Sequence, residues 1–224
     1  MPRKTFPMTE HDPNIKCLLC LAESSFFALY RNIGYYRCGK CLAIFMAPRF
    51  HPSPEREKAR YETHNNDIND PGYREFVRPL VNTVTAGYGP KSTGLDFGAG
   101  TGPVAATILG EQGYDTELYD PFFFNDTALL EKKYDYIICS EVIEHFHQPR
   151  TEFMLLRSLL KPGGNLYCMT WIYSDDIDFM RWRYKDDETH VIFYHHESLR
   201  WIKDNFRFES VSINNRIIDF KAGQ

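Results

Sequence analysis

A glycine-rich turn between a short apolar run and a helix-like segment constrains the fold of this chain more than any other stretch. Residues 95–102 read Leu-Asp-Phe-Gly-Ala-Gly-Thr-Gly, and the helix-like segment runs from Val104 to Leu109. Glycine has no Cβ, so it permits a tight turn and lets a ligand approach the backbone closely. The first amides of a helix have no intrahelical partner and can face an anion. The pattern therefore predicts a strand–turn–helix unit that holds a nucleotide-like ligand.

The spacing of the glycines excludes two common phosphate-binding motifs. A dinucleotide-binding turn reads G-x-G-x-x-G, whereas Pro103 stands three positions after Gly100. A P-loop reads G-x-x-x-x-G-K-[ST], and the sequence contains no such string. What remains is D-x-G-x-G-x-G, with Asp96 at the end of the predicted strand. S-adenosylmethionine (SAM) suits this arrangement, because it has no phosphate, its ammonium suits the acid and its carboxylate suits the loop amides.

The D-x-G-x-G-x-G string resembles the first motif of the class I SAM-dependent methyltransferases, and three further segments match that family in order. A predicted strand, Asp115–Tyr119, ends at Asp120, about twenty residues after the turn. An apolar strand leads into a polar turn over Tyr134–His145, and L-L-K-P-G-G (residues 159–164) precedes another strand. The resemblance covers roughly residues 92–214.

The resemblance implies a set of cofactor-binding residues around this turn. It assigns Asp120 to the ribose hydroxyls of SAM, although the residue also fits a solvated turn before Pro121. It places the end of the fourth-strand segment beside the cofactor. The predicted cofactor-binding residues are Asp96, Gly98, Gly100, Gly102, Asp120, Ser140, Glu141 and His64.

Alternation of strands and helices predicts an α/β fold with a parallel sheet and helices on both faces. Ligands of such sheets bind at the carboxyl ends of the strands, where Asp96, Asp120 and Glu141 are predicted to converge. A further helix and two strands are predicted between residues 197 and 220. The resemblance implies a Rossmann-like, seven-stranded methyltransferase sheet whose final pair of strands is antiparallel.

Two C-x-x-C pairs stand near the amino terminus. Seventeen residues separate Cys17 and Cys20 from Cys38 and Cys41, which is typical of a four-thiolate zinc site. The intervening aromatic residues predict two short strands. A segment this small buries too little apolar surface to fold without a bound metal or a cross-link. We therefore predict a zinc-ribbon-like module with structural Zn²⁺. Redox disulfides are the alternative, and the lack of a secretion signal disfavours them.

The chain divides into three predicted parts. Residues 1–50 form the zinc-ribbon-like module, 51–91 a linker and helical lid, and 92–224 the SAM-dependent methyltransferase domain. No apolar run has the length of a membrane span, and the amino terminus lacks the apolar core of a signal peptide. We therefore expect a cytoplasmic protein without a membrane partner.

Two polar segments outside the motifs are candidates for contact with the cofactor or the acceptor. His64 lies in the run H-N-N-D, which either covers the pocket or forms a capped turn. His190 follows the predicted fifth strand and is the predicted general base, because imidazole titrates near neutral pH. Its T-H-x-x-x-Y segment resembles that of small-molecule methyltransferases in which the histidine packs structurally, so both roles stay open. His145 and His147 are weaker candidates for the acceptor site.

Three classes of function remain open. The sequence favours a SAM-dependent methyltransferase acting on a small molecule, and a sugar fits because some sugar methyltransferases of this family carry a similar cysteine module. An RNA methyltransferase that uses the zinc module to contact nucleic acid is the alternative. RNA binding favours a basic stripe, whereas Asp and Glu outnumber Lys and Arg by 30 to 26. A non-catalytic SAM-binding module is the third class, and the oligomeric state is undetermined.

Overall fold

The structure, a computed structural model, describes residues 14–63 and 67–224. The prediction for His64 falls outside these described residues. The strands form two sheets, one of four strands and one of six. The strands are β1 (Ser24–Tyr30), β2 (Ile33–Cys38), β3 (Ile44–Met46), β4 (Thr93–Phe97), β5 (Asp115–Tyr119), β6 (Tyr134–Ser140), β7 (Leu160–Met169), β8 (Ile192–Phe193), β9 (Phe208–Asn214) and β10 (Ile217–Ala222), and the helices are α1 (Pro54–Glu62), α2 (Pro71–Gly87), α3 (Val104–Glu111), α4 (Pro149–Leu159) and α5 (His196–Asn205).

The larger sheet has the strand order β5-β4-β6-β7-β10-β9. Its first four strands are parallel, and β10 runs antiparallel to both of its neighbours, as predicted for the final pair. Helices cover both faces, because alternate residues of β6 belong to different apolar clusters. Ile138 packs with α2 and α3, whereas Ile137 packs with α4 and α5. The predicted Rossmann-like fold class is confirmed.

The predicted count of seven strands differs from this sheet, which has six within the described residues. Between β5 and β6 the chain forms turns and a short 3-10 helix, Thr127–Glu131, instead of an edge strand. Side chains satisfy the amides of this segment locally: Asp120 accepts from Phe122, and Asp126 accepts from Ala128. Such local acceptors compete with the hydrogen bonds of a sheet.

The smaller sheet has the order β1-β2-β3-β8. β1 and β2 form a hairpin whose turn residues, Arg31 and Asn32, have φ of +48° and +66°, and β3 pairs with β2. The fourth strand, β8 (Ile192–Phe193), follows β3 only after more than 140 residues of sequence. The proposed boundaries between residues 1–50, 51–91 and 92–224 remain a prediction, and β8 joins the first of these parts to the last.

The helices also bear on the question of membrane insertion. Among the described residues, no helix combines the length and the apolar character needed to cross a bilayer.

Candidate functional site

One cavity of about 550 Å³ opens at the carboxyl ends of β4, β5 and β6. Its walls come from the glycine-rich turn, from the ends of these strands and from α1 and α2. The predicted cofactor-binding and catalytic residues within the described ranges all lie at this cavity, namely Asp96, Gly98, Gly100, Gly102, Asp120, Ser140, Glu141 and His190.

The glycine-rich turn has a backbone that only glycine suits at its first position. Gly98 has a φ of +82°, and a Cβ placed there would lie 2.6 Å from both methyl carbons of Val142. The amides of Gly98 and Ala99 donate to the carbonyl oxygen of Tyr119 at 2.8 and 3.1 Å. The turn is therefore tied to β5, and the absence of a Cβ at Gly98 leaves room for the side chain of Val142, which also lines the cavity.

Two carboxyl groups flank the turn. Asp120 accepts hydrogen bonds from the amides of Gly100, Phe122 and Phe123 at 3.0, 2.8 and 3.1 Å. Asp96 is buried, and burial together with the nearby charge of Asp120 raises its pKa to about 7. A cationic group in the cavity would favour the ionised form of Asp96.

Glu141 follows β6 in the left-handed region, with a φ of +54°. A non-glycine residue held there at a cavity wall indicates a functional constraint. Its carboxylate pairs with Arg216 and accepts a hydrogen bond from the Tyr184 hydroxyl at 3.3 Å. Burial raises the pKa of Glu141, and Arg216 opposes that rise. The guanidinium of Arg216 lies 4.4 Å from the ring centroid of Phe76, and no sequence motif identified this arginine.

Ser140 is the other predicted residue at the end of β6. Its hydroxyl oxygen is buried, and it has no hydrogen-bond partner among the described residues. Buried polar atoms are nearly always satisfied in native structures. An unsatisfied hydroxyl at a cavity wall is therefore consistent with a ligand that supplies the missing hydrogen bond.

Three imidazoles and two side chains of α1 form a second wall, which we call the histidine wall (Glu57, Tyr61, His145, His147 and His190). Nδ1 of His190 lies 2.7 Å from the carbonyl oxygen of Tyr184, and Nδ1 of His145 lies 2.9 Å from that of Thr189. A carbonyl oxygen only accepts, so each Nδ1 carries a proton, and Nε2 is the acceptor atom of each neutral ring.

Glu57 is the one buried residue of α1, and sequence reasoning missed it. Its Oε1 accepts a hydrogen bond from the Tyr61 hydroxyl at 3.2 Å and lies 3.2 Å from Nε2 of His147. The spacing of Glu57 and Tyr61, four positions apart on one helix face, is the signal that identifies them as a pair. The ring of His51 packs against His147, and burial lowers the pKa of His51 to about 4, so His51 stays neutral near pH 7.

Two clusters among the described residues have the donor types of a metal site. The four cysteine sulfurs lie within 4.8 Å of one another, and the Cys20 and Cys38 sulfurs are 3.3 Å apart. The second cluster is Glu144, His145 and His190. Burial and the nearby Glu141 raise the pKa of Glu144 to about 8, so this carboxyl keeps its proton near pH 7. The cysteine cluster is therefore the better fit to a cation.

The amides around Cys38 also suit a thiolate. The pKa of Cys38 is lowered by hydrogen bonds from the thiols of Cys17 and Cys41, and the backbone amides of Cys41 and Lys40 contribute further. Both amides lie 3.3 Å from its sulfur. Four sulfurs at this spacing fit a tetrahedral ion such as Zn²⁺.

Comparisons with known proteins agree with this geometry. The ubiquinone biosynthesis O-methyltransferase of Histophilus somni is 33% identical over 95 residues, covering 41% of this chain and 40% of that protein. The enzyme of the same name from Cronobacter sakazakii is 32% identical over 91 residues, covering 41% and 37%. The matched part of the chain thus spans well under half of the length of these curated relatives.

Solved structures show the same fold. The superposition on the Burkholderia thailandensis 1,6-didemethyltoxoflavin-N1-methyltransferase covers 91% of this chain and 100% of that enzyme. Its TM-score is 0.57, and the sequence identity is 14%. That enzyme was solved with 1,6-didemethyltoxoflavin and S-adenosylhomocysteine. A family model described as a methyltransferase domain matches residues 70–213, more than half of the sequence. This chain therefore belongs to the methyltransferase domain family.

Proposed function

We propose that this chain is a SAM-dependent methyltransferase whose acceptor is a small molecule without negative charge. The cavity carries the proposal, because it joins the glycine-rich turn and three acids at strand ends to a wall of imidazoles. Among the described residues that line it, five are Asp or Glu and none is Lys or Arg. The relatives named as ubiquinone O-methyltransferases and the structural neighbour with a small-molecule ligand support the small-molecule class.

The residues at the turn fit SAM. The missing Cβ at Gly98 lets the turn pack against Val142, and the unsatisfied hydroxyl of Ser140 leaves one hydrogen bond for a ligand. Asp120 would accept from a ribose hydroxyl, since a carboxylate has about four acceptor sites and three of them are taken by backbone amides. Asp96 and Glu141 would face the ammonium, and Gly100 and Gly102 would let the ligand lie against the backbone.

The histidine wall would serve the acceptor. When bound, SAM supplies a methyl carbon made electrophilic by its sulfonium. A hydroxyl acceptor also needs a group that takes its proton, and His190 is our proposed base because its protonated Nδ1 leaves Nε2 as the acceptor atom. The neighbouring rings of His145 and His190, with centroids 4.8 Å apart, would orient the acceptor.

The charge of the cavity opposes the RNA alternative. Proteins that bind nucleic acid place Lys and Arg against the phosphates, and the described walls contain neither residue. A sugar or another neutral metabolite, or an amine, fits these walls better than a phosphorylated or carboxylated acceptor.

We further propose that Cys17, Cys20, Cys38 and Cys41 bind one structural Zn²⁺. The sulfur spacing and the amide hydrogen bonds to Cys38 support this assignment. Cys139 and Cys168 lie in β6 and β7 and take no part in the cluster.

The decisive experiment uses methyl-labelled SAM with the full-length protein and a cell extract, followed by partition of the label among small molecules, RNA and protein. Label among the small molecules, lost with the Gly98→Ala variant, is the expected result. Retention of the labelled compound on a cation exchanger or its flow through both ion exchangers supports a cationic or neutral acceptor, whereas retention on an anion exchanger contradicts it. Label in RNA would overturn the acceptor class. Binding of S-adenosylhomocysteine without transfer to any fraction would instead indicate the non-catalytic module.

A further inference from the structure

The cysteine module (the described residues 14–50) holds the residue next to the proposed base. β3 begins three positions after Cys41, and the amide of Met46 at its end donates to the carbonyl of Val191 at 2.8 Å. The amide of Val191 donates in turn to the carbonyl of Glu144 at 2.9 Å. Val191 directly follows His190. Its backbone therefore links the cysteine module, the proposed base and the turn that carries His145.

A second attachment starts at a cysteine itself. The hydroxyl of Ser198 is buried and donates to the carbonyl oxygen of Cys41 at 2.8 Å. Ser198 also accepts from the amide of His195, and together these residues cap the start of α5. The stretch from His190 to Ser198 is therefore held at both ends by the segment that carries the last sulfur ligand.

Side chains of the hairpin support the loop that precedes His190. The ring of Tyr35 packs against Phe179 and Phe193, with centroids 5.2 and 6.2 Å apart. The buried ammonium of Lys185 lies 3.6 Å from the ring centroid of Tyr30. Lys185 directly follows Tyr184, whose carbonyl fixes the ring of His190. The loop and the hairpin thus share one packed interface.

The cofactor side is built differently. β4, which carries Asp96, lies between β5 and β6 in the six-stranded sheet and pairs with both, and Asp120 directly follows β5. The glycine-rich turn is tied to Tyr119 at the end of β5. The hydrogen bonds that shape the turn therefore come from the sheet, whereas those that shape the histidine wall come in part from the cysteine module.

We infer that a metal ion bound by the four cysteines positions His190 and the histidine wall, so that the metal centre builds the acceptor side of the cavity. The inference rests on the proposed zinc site. It assigns the module a role in catalysis through β3 and Ser198, with no contact between the metal and the acceptor. Loss of the ion would disorder the acceptor wall while the cofactor side stays intact.

The experiment removes zinc from the full-length protein with 1,10-phenanthroline, restores it with zinc chloride, and follows amide hydrogen exchange by mass spectrometry. We expect peptides spanning residues 184–198 to exchange at least about tenfold faster without metal and to regain protection when zinc returns. Peptides spanning residues 93–109 should keep their protection. The affinity for S-adenosylhomocysteine, measured by calorimetry on both forms, should change by less than about threefold.

Each other outcome counts against the inference. Faster exchange confined to residues 14–43 would show that the wall stands without the metal. Loss of protection at residues 93–109, or loss of S-adenosylhomocysteine binding, would show that the metal holds the whole fold. If the protein binds no zinc, the proposed metal centre is wrong and the inference fails with it. Binding of S-adenosylhomocysteine, measured by calorimetry on the same sample, still tests the proposed cofactor site separately.

Two serine variants provide a test that keeps the cysteines. Ser198→Ala removes the hydrogen bond to Cys41, whereas Ser158→Ala removes an exposed hydroxyl that bonds within α4. We expect both to retain one zinc by elemental analysis, and only Ser198→Ala to speed exchange in residues 190–198. Equal exchange in the two variants would contradict the second attachment.

Discussion

The backbone amide of Gly100 donates a hydrogen bond to the carboxylate of Asp120 across 3.0 Å. This contact joins the glycine-rich turn after β4 to the end of β5. The same carboxylate accepts from Phe122 and Phe123, so Asp120 organises the turn as well as facing the cavity. Sequence reasoning offered Asp120 as a ligand contact or as a turn residue, and the structure shows that it organises the turn.

Replacement of Asp120 by alanine should weaken the binding of S-adenosylhomocysteine by at least about tenfold. Hydrogen bonds to a charged acceptor contribute about 1.5–3 kcal/mol each, and tenfold in affinity corresponds to about 1.4 kcal/mol. Calorimetric titration measures the effect. Asp126→Ala is the matched control, because Asp126 also accepts an amide in an exposed turn but does not line the cavity. Equal affinities in the two variants would contradict the role of Asp120.

Alanine substitutions at Gly98, in the turn before α3, and at Gly110, within α3, should change the free energy of unfolding in opposite directions. Gly98→Ala would place a Cβ 2.6 Å from Val142 at a φ of +82°, so we expect a loss of about 1–3 kcal/mol in the free energy of unfolding. Gly110 lies within α3, and a Cβ added there would meet nothing within 4 Å. Gly110→Ala should stabilise the protein by about 0.5–1 kcal/mol.

Urea unfolding gives both free energies, and calorimetry gives the affinity for S-adenosylhomocysteine. Only Gly98→Ala should lose affinity, by more than about tenfold. Normal binding by Gly98→Ala would show that the turn tolerates a side chain and would contradict the placement of the cofactor against this turn.

Glu144 should make the stability of the protein depend on pH. Burial and the nearby Glu141 raise its pKa in the folded protein from 4.5 to about 8. Between these values the folded chain binds more protons than the unfolded chain, so this group lowers the free energy of unfolding as the pH rises. The slope is at most about 1.4 kcal/mol per pH unit, and the loss is complete above about pH 8.

Glu144→Gln removes this titration while keeping an oxygen that accepts from Tyr184. The free energy of unfolding of the variant, relative to that of the wild type, should increase from pH 5 to pH 8 and then level off. Urea unfolding at several pH values measures this difference. Parallel profiles for the two proteins would show that Glu144 is ionised in the folded state.

The metal assignment predicts one zinc ion per chain. Cys20→Ser replaces one of the four proposed ligands and should lower the zinc content below one equivalent, because a hydroxyl is a poor zinc ligand. Cys168→Ala is the control, since Cys168 is buried in β7 and lies outside the cluster. Elemental analysis after gel filtration measures both. Full zinc content in Cys20→Ser would exclude a four-sulfur site.

The sequence predicted that the acids at the strand ends lie close together, because the signals for this arrangement are local. Alternating apolar residues, the glycine spacing and the acids at strand ends each lie within one strand–turn–helix unit, and the structure places Asp96, Asp120 and Glu141 at one cavity. The predicted strand Asp115–Tyr119 coincides with β5. The strand predicted to follow residue 164 pairs with β6 in regular register from Asn165, and β7 has one earlier pair, Leu160 with Tyr134, before a register shift.

The acceptor side was harder to predict because its contacts are distant in sequence. Glu57, His147 and His190 come from three separate segments, and nothing in their spacing brings them together. Arg216 stands in the turn between β9 and β10 and reaches Glu141 through tertiary packing alone. The seventh strand is absent from the described part of the chain because Asp120 and Asp126 accept hydrogen bonds from backbone amides that an edge strand would use for pairing. The resemblance to the family does not reveal these local hydrogen bonds.

The pairing of Ile44 with Phe193 has a consequence for how the protein is made. Well over half of the chain is synthesised between these two residues, so the amino-terminal hairpin leaves the ribosome long before its sheet can close. Contacts of such high sequence separation form slowly. Until β8 emerges, the nascent chain exposes the backbone edge of β3, and exposed strand edges invite pairing with other chains. Early capture of a metal ion by the cysteines would hold this edge within a folded hairpin during that interval.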